Sequence, residues 1–137
     1  MGMDYSYNPY FFTEAYGGIN EITLWEVGLN AGQLFFAQIE AFEKIFNQHS
    51  GFYDTQADAI YLLDAGKLKA LIDAMLGYYN AARHNPLRSI LFDSSIQILL
   101  VLYKRAMGEW LPAPAALMDT IEQIEIAMGR GYLKRND

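Results

Sequence analysis

Four stretches of the chain repeat their apolar residues at spacings of three and four, which is the pattern of an amphipathic helix. In 30–49, for example, four large side chains fall on one helical stripe: Phe35, Ile39, Phe42 and Phe46. The pattern predicts helices over four ranges: 30–49, 66–84, 86–107 and 115–129.

The third of these helices most strongly limits the fold. Between Ile96 and Leu102 it is apolar on nearly every side, which is typical of a helix at the centre of a domain. Pro86 suits its first position and Gly108 suits its end. We therefore predict an all-α fold, a compact bundle of four main helices in which 86–107 is the most buried.

The first 29 residues have a different character. Six of the first sixteen are aromatic, namely Tyr5, Tyr7, Tyr10, Phe11, Phe12 and Tyr16. Residues 22–27 alternate apolar and polar side chains as a short strand does. We predict a single domain in which 1–29 form an aromatic arm or hairpin, 30–131 a helical core and 132–137 a tail. The apolar connection 51–63 is predicted to pack as an ordered connector or short helix.

Composition excludes several classes of protein. Hydrophobic residues make up 53% of the 137, which excludes a disordered chain, and the lack of cysteine excludes a disulfide scaffold. The formal net charge of −6 argues against nucleic acid or an anionic membrane as the main partner. No apolar run reaches the roughly 18 residues of a membrane span, and the first residues lack a signal-peptide pattern, so we expect a cytoplasmic protein.

Catalytic and cofactor-binding motifs are not evident in the sequence, so we expect no enzymatic activity, no cofactor and no bound metal. Two groups of carboxylates at helical spacing keep one alternative open, a small helical enzyme or metal-dependent hydrolase. The groups are Glu40 with Glu43, and Asp119 with Glu122 and Glu125. Neither contains the histidine that a di-iron helix motif requires.

Charge is distributed very unevenly along the chain. Residues 1–66 carry nine acids and one base, a net charge of −8, whereas 67–137 carry seven acids and nine bases, a net charge of +2. A strongly acidic segment attracts a cationic partner, and tyrosine supplies contact area at protein interfaces. We predict a basic protein partner bound by Tyr5, Tyr7, Tyr10, Glu14, Glu21, Asp54 and Asp58. Ordinary solubilising charge and a homodimer built on the aromatic arm are the alternatives.

Short sequence features point to a family. They are Leu24–Trp25, the run Gly32–Gln33–Leu34–Phe35, the stretch 64–76, His84 and the helix end 99–105. On these residues the chain resembles small uncharacterised helical proteins of actinobacteria, over roughly 24–108. In architecture and charge it also resembles acidic immunity proteins that neutralise bacterial toxins. That second resemblance implies a non-enzymatic protein whose basic partner is a secreted toxin.

Overall fold

A four-stranded mixed sheet forms one layer of the fold. The computed structural model of the chain describes residues 2–8, 10, 20–55, 58–82 and 84–129. The strands are β1 Gly2–Tyr7, β2 Ile22–Gly28, β3 Phe52–Asp54 and β4 Ala59–Leu62. They lie side by side in the order β2-β1-β4-β3. β1 pairs antiparallel with β2 and parallel with β4, and β3 pairs antiparallel with β4.

The helices supply the other layer. Their bounds are α1 Leu29–Phe46, α2 Ala65–Ala81, α3 Pro86–Arg88, α4 Ser94–Met107, α5 Ala115–Met118 and α6 Ile121–Met128. A π-helical turn, Ser89–Asp93, joins α3 to α4. α1, α4 and α6 contact the sheet, and α2 packs against α4. The fold is therefore an α/β arrangement rather than a helical bundle.

The all-α prediction is wrong, and the connection 51–63 explains most of the error. This segment contains β3 and β4 instead of a short helix. In β4 three consecutive side chains, Ile60, Tyr61 and Leu62, are buried, so the strand shows no alternation of apolar and polar residues. Its parallel pairing with β1 also joins residues that are more than fifty positions apart, which local periodicity cannot reveal. The predicted core 30–131 is accordingly not wholly helical.

The predicted strand at 22–27 is confirmed as β2, which pairs with β1. The helix predictions for 30–49 and 66–84 are confirmed with slightly shorter bounds. The predicted helix 115–129 is two helices, separated by a turn at 119–120. Phe11, Phe12, Tyr16 and the predicted tail 132–137 lie outside the described residues.

Residues 86–91 of the predicted helix 86–107 are mostly exposed, so the predicted burial is confirmed only for α4. Its residues Leu99 and Leu102 are both 0% exposed. Two of its polar side chains tie it to the C-terminal helices. The Gln97 amide donates to the Leu117 carbonyl at 2.8 Å, and the Arg105 guanidinium donates to the Leu24 and Gly129 carbonyls at 2.9 and 2.5 Å. These donors satisfy carbonyls in a strand and at a helix end, so they fix the position of α4 relative to the sheet and to the C-terminal helices.

The continuous helix of 22 residues from Pro86 to Met107 meets the length and composition of a membrane span. It is the one helix to do so within the described part of the chain. Half of its most apolar window is buried inside the protein. The core helix of a soluble domain has the same properties, so they are weak evidence for a membrane.

Candidate functional site

Tyr5, the first residue of the predicted partner-binding set, lies in the core. Its side chain is 0% exposed, and its hydroxyl donates to the Gly32 carbonyl at 2.7 Å. Burial, with a smaller contribution from the Asp54 charge, raises the pKa of the Tyr5 phenol, which therefore stays protonated as a donor. The ring contacts three other aromatic rings at centroid distances of 5.2 to 6.1 Å: Trp25, Phe52 and Phe35. A partner would not reach it.

Glu21 is also inaccessible, and it belongs to a buried polar cluster on the sheet. The Tyr61 hydroxyl donates to its carboxylate at 2.6 Å. Three other polar side chains are buried with them: Ser6, Asn8 and Thr23. A carboxylate with a close hydroxyl donor is stabilised where it is, so Glu21 contributes to the structure of the sheet.

The remaining tyrosines differ in exposure. Tyr7 is half-buried, and burial, followed by the charge of Asp64, raises the pKa of its phenol. Tyr10 is 53% exposed, and its backbone N–H donates to the Asn8 side chain at 2.8 Å. Glu14 lies outside the described residues. Of the three predicted tyrosines, Tyr10 is thus the one most open to a partner.

Asp54 and Asp58 are both exposed, and the sheet brings two further carboxylates to the same end. β1 and β4 begin at this end, and β2 and β3 finish there. Asp4 lies directly opposite Glu26 in the β1–β2 pair and opposite Ala59 in the β1–β4 pair. We call Asp4, Glu26, Asp54 and Asp58 the acidic sheet end. Like charges placed at one end of a sheet concentrate negative potential there.

Tyr53 adds an aromatic surface beside the acidic sheet end. It precedes Asp54 in β3 and is 37% exposed. Its ring stacks on the His49 imidazole with centroids 4.7 Å apart. The Gly51 N–H donates to Nδ1 of His49, which holds the imidazole in place. The sequence prediction did not include Tyr53, Asp4 or Glu26, because strand register determines their position.

The two helical carboxylate groups lie on different elements and have other contacts. Glu43 accepts a hydrogen bond from the Ser50 N–H at 2.8 Å, and Glu125 lies 3.6 Å from the Lys104 ammonium. Glu40 and Glu122 point to solvent. Within the described ranges, no three carboxylate or imidazole side chains are close enough together to hold a metal ion. The alternative of a metal-dependent hydrolase therefore has no geometric support from these residues.

A second surface feature is apolar and lies on the helices. Five large aliphatic side chains on α1 and on the helical stretch 86–93 are 57–75% exposed: Leu34, Ile45, Leu87, Ile90 and Leu91. We call this set the apolar face. Two pockets of about 390 and 440 Å³ open on either side of Leu91. Contiguous exposed apolar surface of this kind is typical of binding sites.

A family model decides the relationship of this chain to known proteins. The model is described as "Family of unknown function (DUF6086)", and it matches residues 13–130. The chain belongs to this family. Comparisons with curated proteins and with solved structures give no match. The predicted resemblance to an uncharacterised family is thereby confirmed.

The DUF6086 match covers the whole of the apolar face but only part of the acidic surface. It includes the whole apolar face and both pockets, together with Glu26, Asp54 and Asp58. It begins after β1, so Asp4, Tyr5, Tyr7 and Tyr10 lie outside the matched range. The structure thus has two candidate surfaces, an acidic one at the sheet and an apolar one on the helices, and the family match includes the second completely.

Proposed function

We propose that this DUF6086 protein is a non-enzymatic binding protein that engages a basic protein partner through the acidic sheet end. The observation that carries the proposal is that Asp4, Glu26, Asp54 and Asp58 all lie at the same end of a four-stranded sheet. A sheet fixes the relative positions of its side chains, so the negative field keeps its shape without a partner. Such a field steers a cationic surface toward it before contact.

The spread of the carboxylates favours a macromolecular partner over a single cation. Three of them come from β1, β2 and β3, and Asp58 directly precedes β4, so they do not belong to one loop that could wrap around an ion. Tyr53, half-exposed beside Asp54, offers a rigid amphipathic ring of the kind enriched at protein interfaces. Tyr10 is also exposed, but it follows the last residue of β1, whereas the acidic sheet end is where β1 begins, so Tyr10 does not belong to this surface.

The specific form of the proposal is a toxin-neutralising immunity protein. A nuclease toxin needs a basic cleft to hold the phosphates of its substrate. A small acidic protein with a rigid negative surface is complementary to that cleft and competes with the nucleic acid for it. The proposed partner is therefore a basic, nucleic-acid-cleaving protein, and the protein would act in the cytoplasm of the cell that it protects. We also propose that the relatives of this chain are proteins of actinobacteria.

Neutralising the acidic sheet end should slow association with the basic partner. The test variant is Asp54→Asn with Asp58→Asn, and asparagine suits the positive φ of 54° at position 58. We expect the association rate to fall by about tenfold at low salt, with little change in dissociation rate. The wild-type rate should also fall steeply as salt rises, and the variant should depend less on salt. Stopped-flow kinetics against the partner captured from the native host measure both rates.

The matched control carries Glu40→Gln with Glu122→Gln. Both glutamates are exposed and lie on helices, away from the acidic sheet end. Test and control each remove two charges, so the net charge changes from −6 to −4 in both (−6 + 2 = −4). If the two double variants slow association equally, overall charge is responsible and the proposed surface is wrong.

A further inference from the structure

The smaller of the two pockets has walls of aromatic rings. It has a volume of about 390 Å³ and lies between α1, α2 and the stretch 85–92. Four rings, those of Phe42, Phe46, Tyr78 and Phe92, line it. Their centroids lie 5.3 to 6.1 Å apart, and their planes meet at 50° to 80°. Tilted and edge-to-face contacts at these distances are those that aromatic rings prefer, so the walls are held in a defined shape.

The π-helical turn fixes the polar edge of this pocket. Arg88 precedes the turn and Asp93 ends it, and the guanidinium donates from Nε and Nη2 to the carboxylate at 3.1 and 3.3 Å. In an α-helix, residues five apart do not face each other, whereas the wider π turn brings them together. The Arg88 guanidinium also lies 3.9 Å from the centroid of the Tyr79 ring. Ion pair and ring together hold Arg88 at the edge of the pocket.

Among the described residues, the charges at this edge are balanced, which favours an uncharged ligand. Asp93 neutralises Arg88, so an anionic ligand would bring a second negative charge close to the carboxylate. Asn85 uses its Oδ1 to accept from the Leu87 N–H at 3.0 Å, so its amide group presents N–H donors. A hydrogen-bond acceptor without formal charge fits this edge, and an aromatic ring fits the walls.

We propose that this pocket binds a small uncharged aromatic molecule that carries a carbonyl group or a similar acceptor. A volume of about 390 Å³ lies at the lower end of the range for small-molecule sites, about 300–1,000 Å³, and suits one or two fused rings. The π turn supports the assignment, since such turns are frequent at functional sites. This site is separate from the acidic sheet end and does not depend on the proposed function.

The probe for the test is 6-propionyl-2-dimethylaminonaphthalene, an uncharged aromatic ketone whose emission shifts to the blue in apolar surroundings. We expect saturable binding at one site. Leu91→Glu and Ile45→Glu each place a charge on the pocket rim and should weaken binding by about tenfold or more. Both side chains are 70% exposed, so the fold should tolerate the change.

Two exposed isoleucines supply the controls. Ile90→Glu changes the neighbouring residue, which lines the other pocket, and Ile126→Glu changes α6. Both variants should bind the probe within about twofold of wild type because they add the same charge outside the aromatic pocket. In competition, 2-acetylnaphthalene should displace the probe, and the 2-naphthoate anion should do so much less well.

Three results would overturn the proposal. Non-saturable binding would mean general adhesion to apolar surface. Equal loss of binding in Ile90→Glu and Leu91→Glu would mean that the whole apolar face acts, as in a homodimer, and sedimentation would then show a dimer that both variants dissociate. Displacement by 2-naphthoate as efficient as by 2-acetylnaphthalene would contradict the assignment of an uncharged ligand.

Discussion

Replacing Leu99 with alanine is expected to lower the free energy of unfolding by about 2–5 kcal/mol. Leu99 is 0% exposed on α4, the helix that contacts the sheet, α2 and α6. The substitution removes the transfer free energy of the side chain and leaves a cavity that the surrounding sheet and helices cannot fully close. Urea denaturation monitored by circular dichroism measures the change.

The same substitution at an exposed leucine is the control. Leu34 is 63% exposed on α1, and Leu34→Ala should change stability by no more than about 0.5 kcal/mol. Leu99→Met, which keeps the volume nearly constant, should lower stability by less than about 1.5 kcal/mol. A loss below about 1 kcal/mol for Leu99→Ala would show that α4 is not the centre of the core.

The burial of α4 could be predicted because an apolar residue recurs on every side of 96–102, and only an interior position explains that pattern. The sheet could not be predicted in the same way. The alternation of 22–27 correctly predicted β2, but it does not show which strand pairs with β2. β3 has only three residues, too few to show a pattern. β4 lies between β3 and β1, and its pairing with β1 joins distant parts of the chain. These strands are specified by long-range contacts.

The candidate sites show a similar division. Counting charges correctly indicated that the N-terminal half is acidic, but a count does not assign side chains to the surface or the interior. Glu21 is buried and accepts a hydrogen bond from Tyr61, whereas Asp54 and Asp58 are exposed, and the charge count did not distinguish them. Asp4 and Glu26 became part of the acidic sheet end because strand register placed them opposite each other.

The aromatic pocket was missed for a different reason. Phe42 and Phe46 have the helical spacing of core residues, and that spacing does not distinguish a filled core from a cavity wall. The sequence prediction also treated 86–107 as one regular helix. The π turn changes the side-chain directions within it, so that Ile90 and Leu91 face solvent while Phe92 is buried. A period of 3.6 residues cannot anticipate that change.

Replacing Gly51 with alanine is expected to lower the free energy of unfolding by about 3 kcal/mol or more. Gly51 has a φ of +81°, a left-handed conformation in which an L residue costs about 1–2 kcal/mol. A Cβ at this position would also overlap the backbone carbonyl oxygen of Asp64. That backbone is constrained because the Asp64 side chain caps α2 and the Leu63 N–H donates to the Gly51 carbonyl at 2.9 Å. The clash must therefore displace either β3 or the start of α2.

Gly108→Ala separates the clash from the backbone strain. Gly108 ends α4 with almost the same φ, +82°, and a Cβ there would have no neighbour within 4 Å. It should therefore show the left-handed penalty alone, about 1–2 kcal/mol. The informative quantity is the difference between the two alanine variants in urea denaturation. If the losses are equal, the contact between Gly51 and Asp64 adjusts freely, and the junction of β3 with α2 is not the rigid connection that its hydrogen bonds indicate.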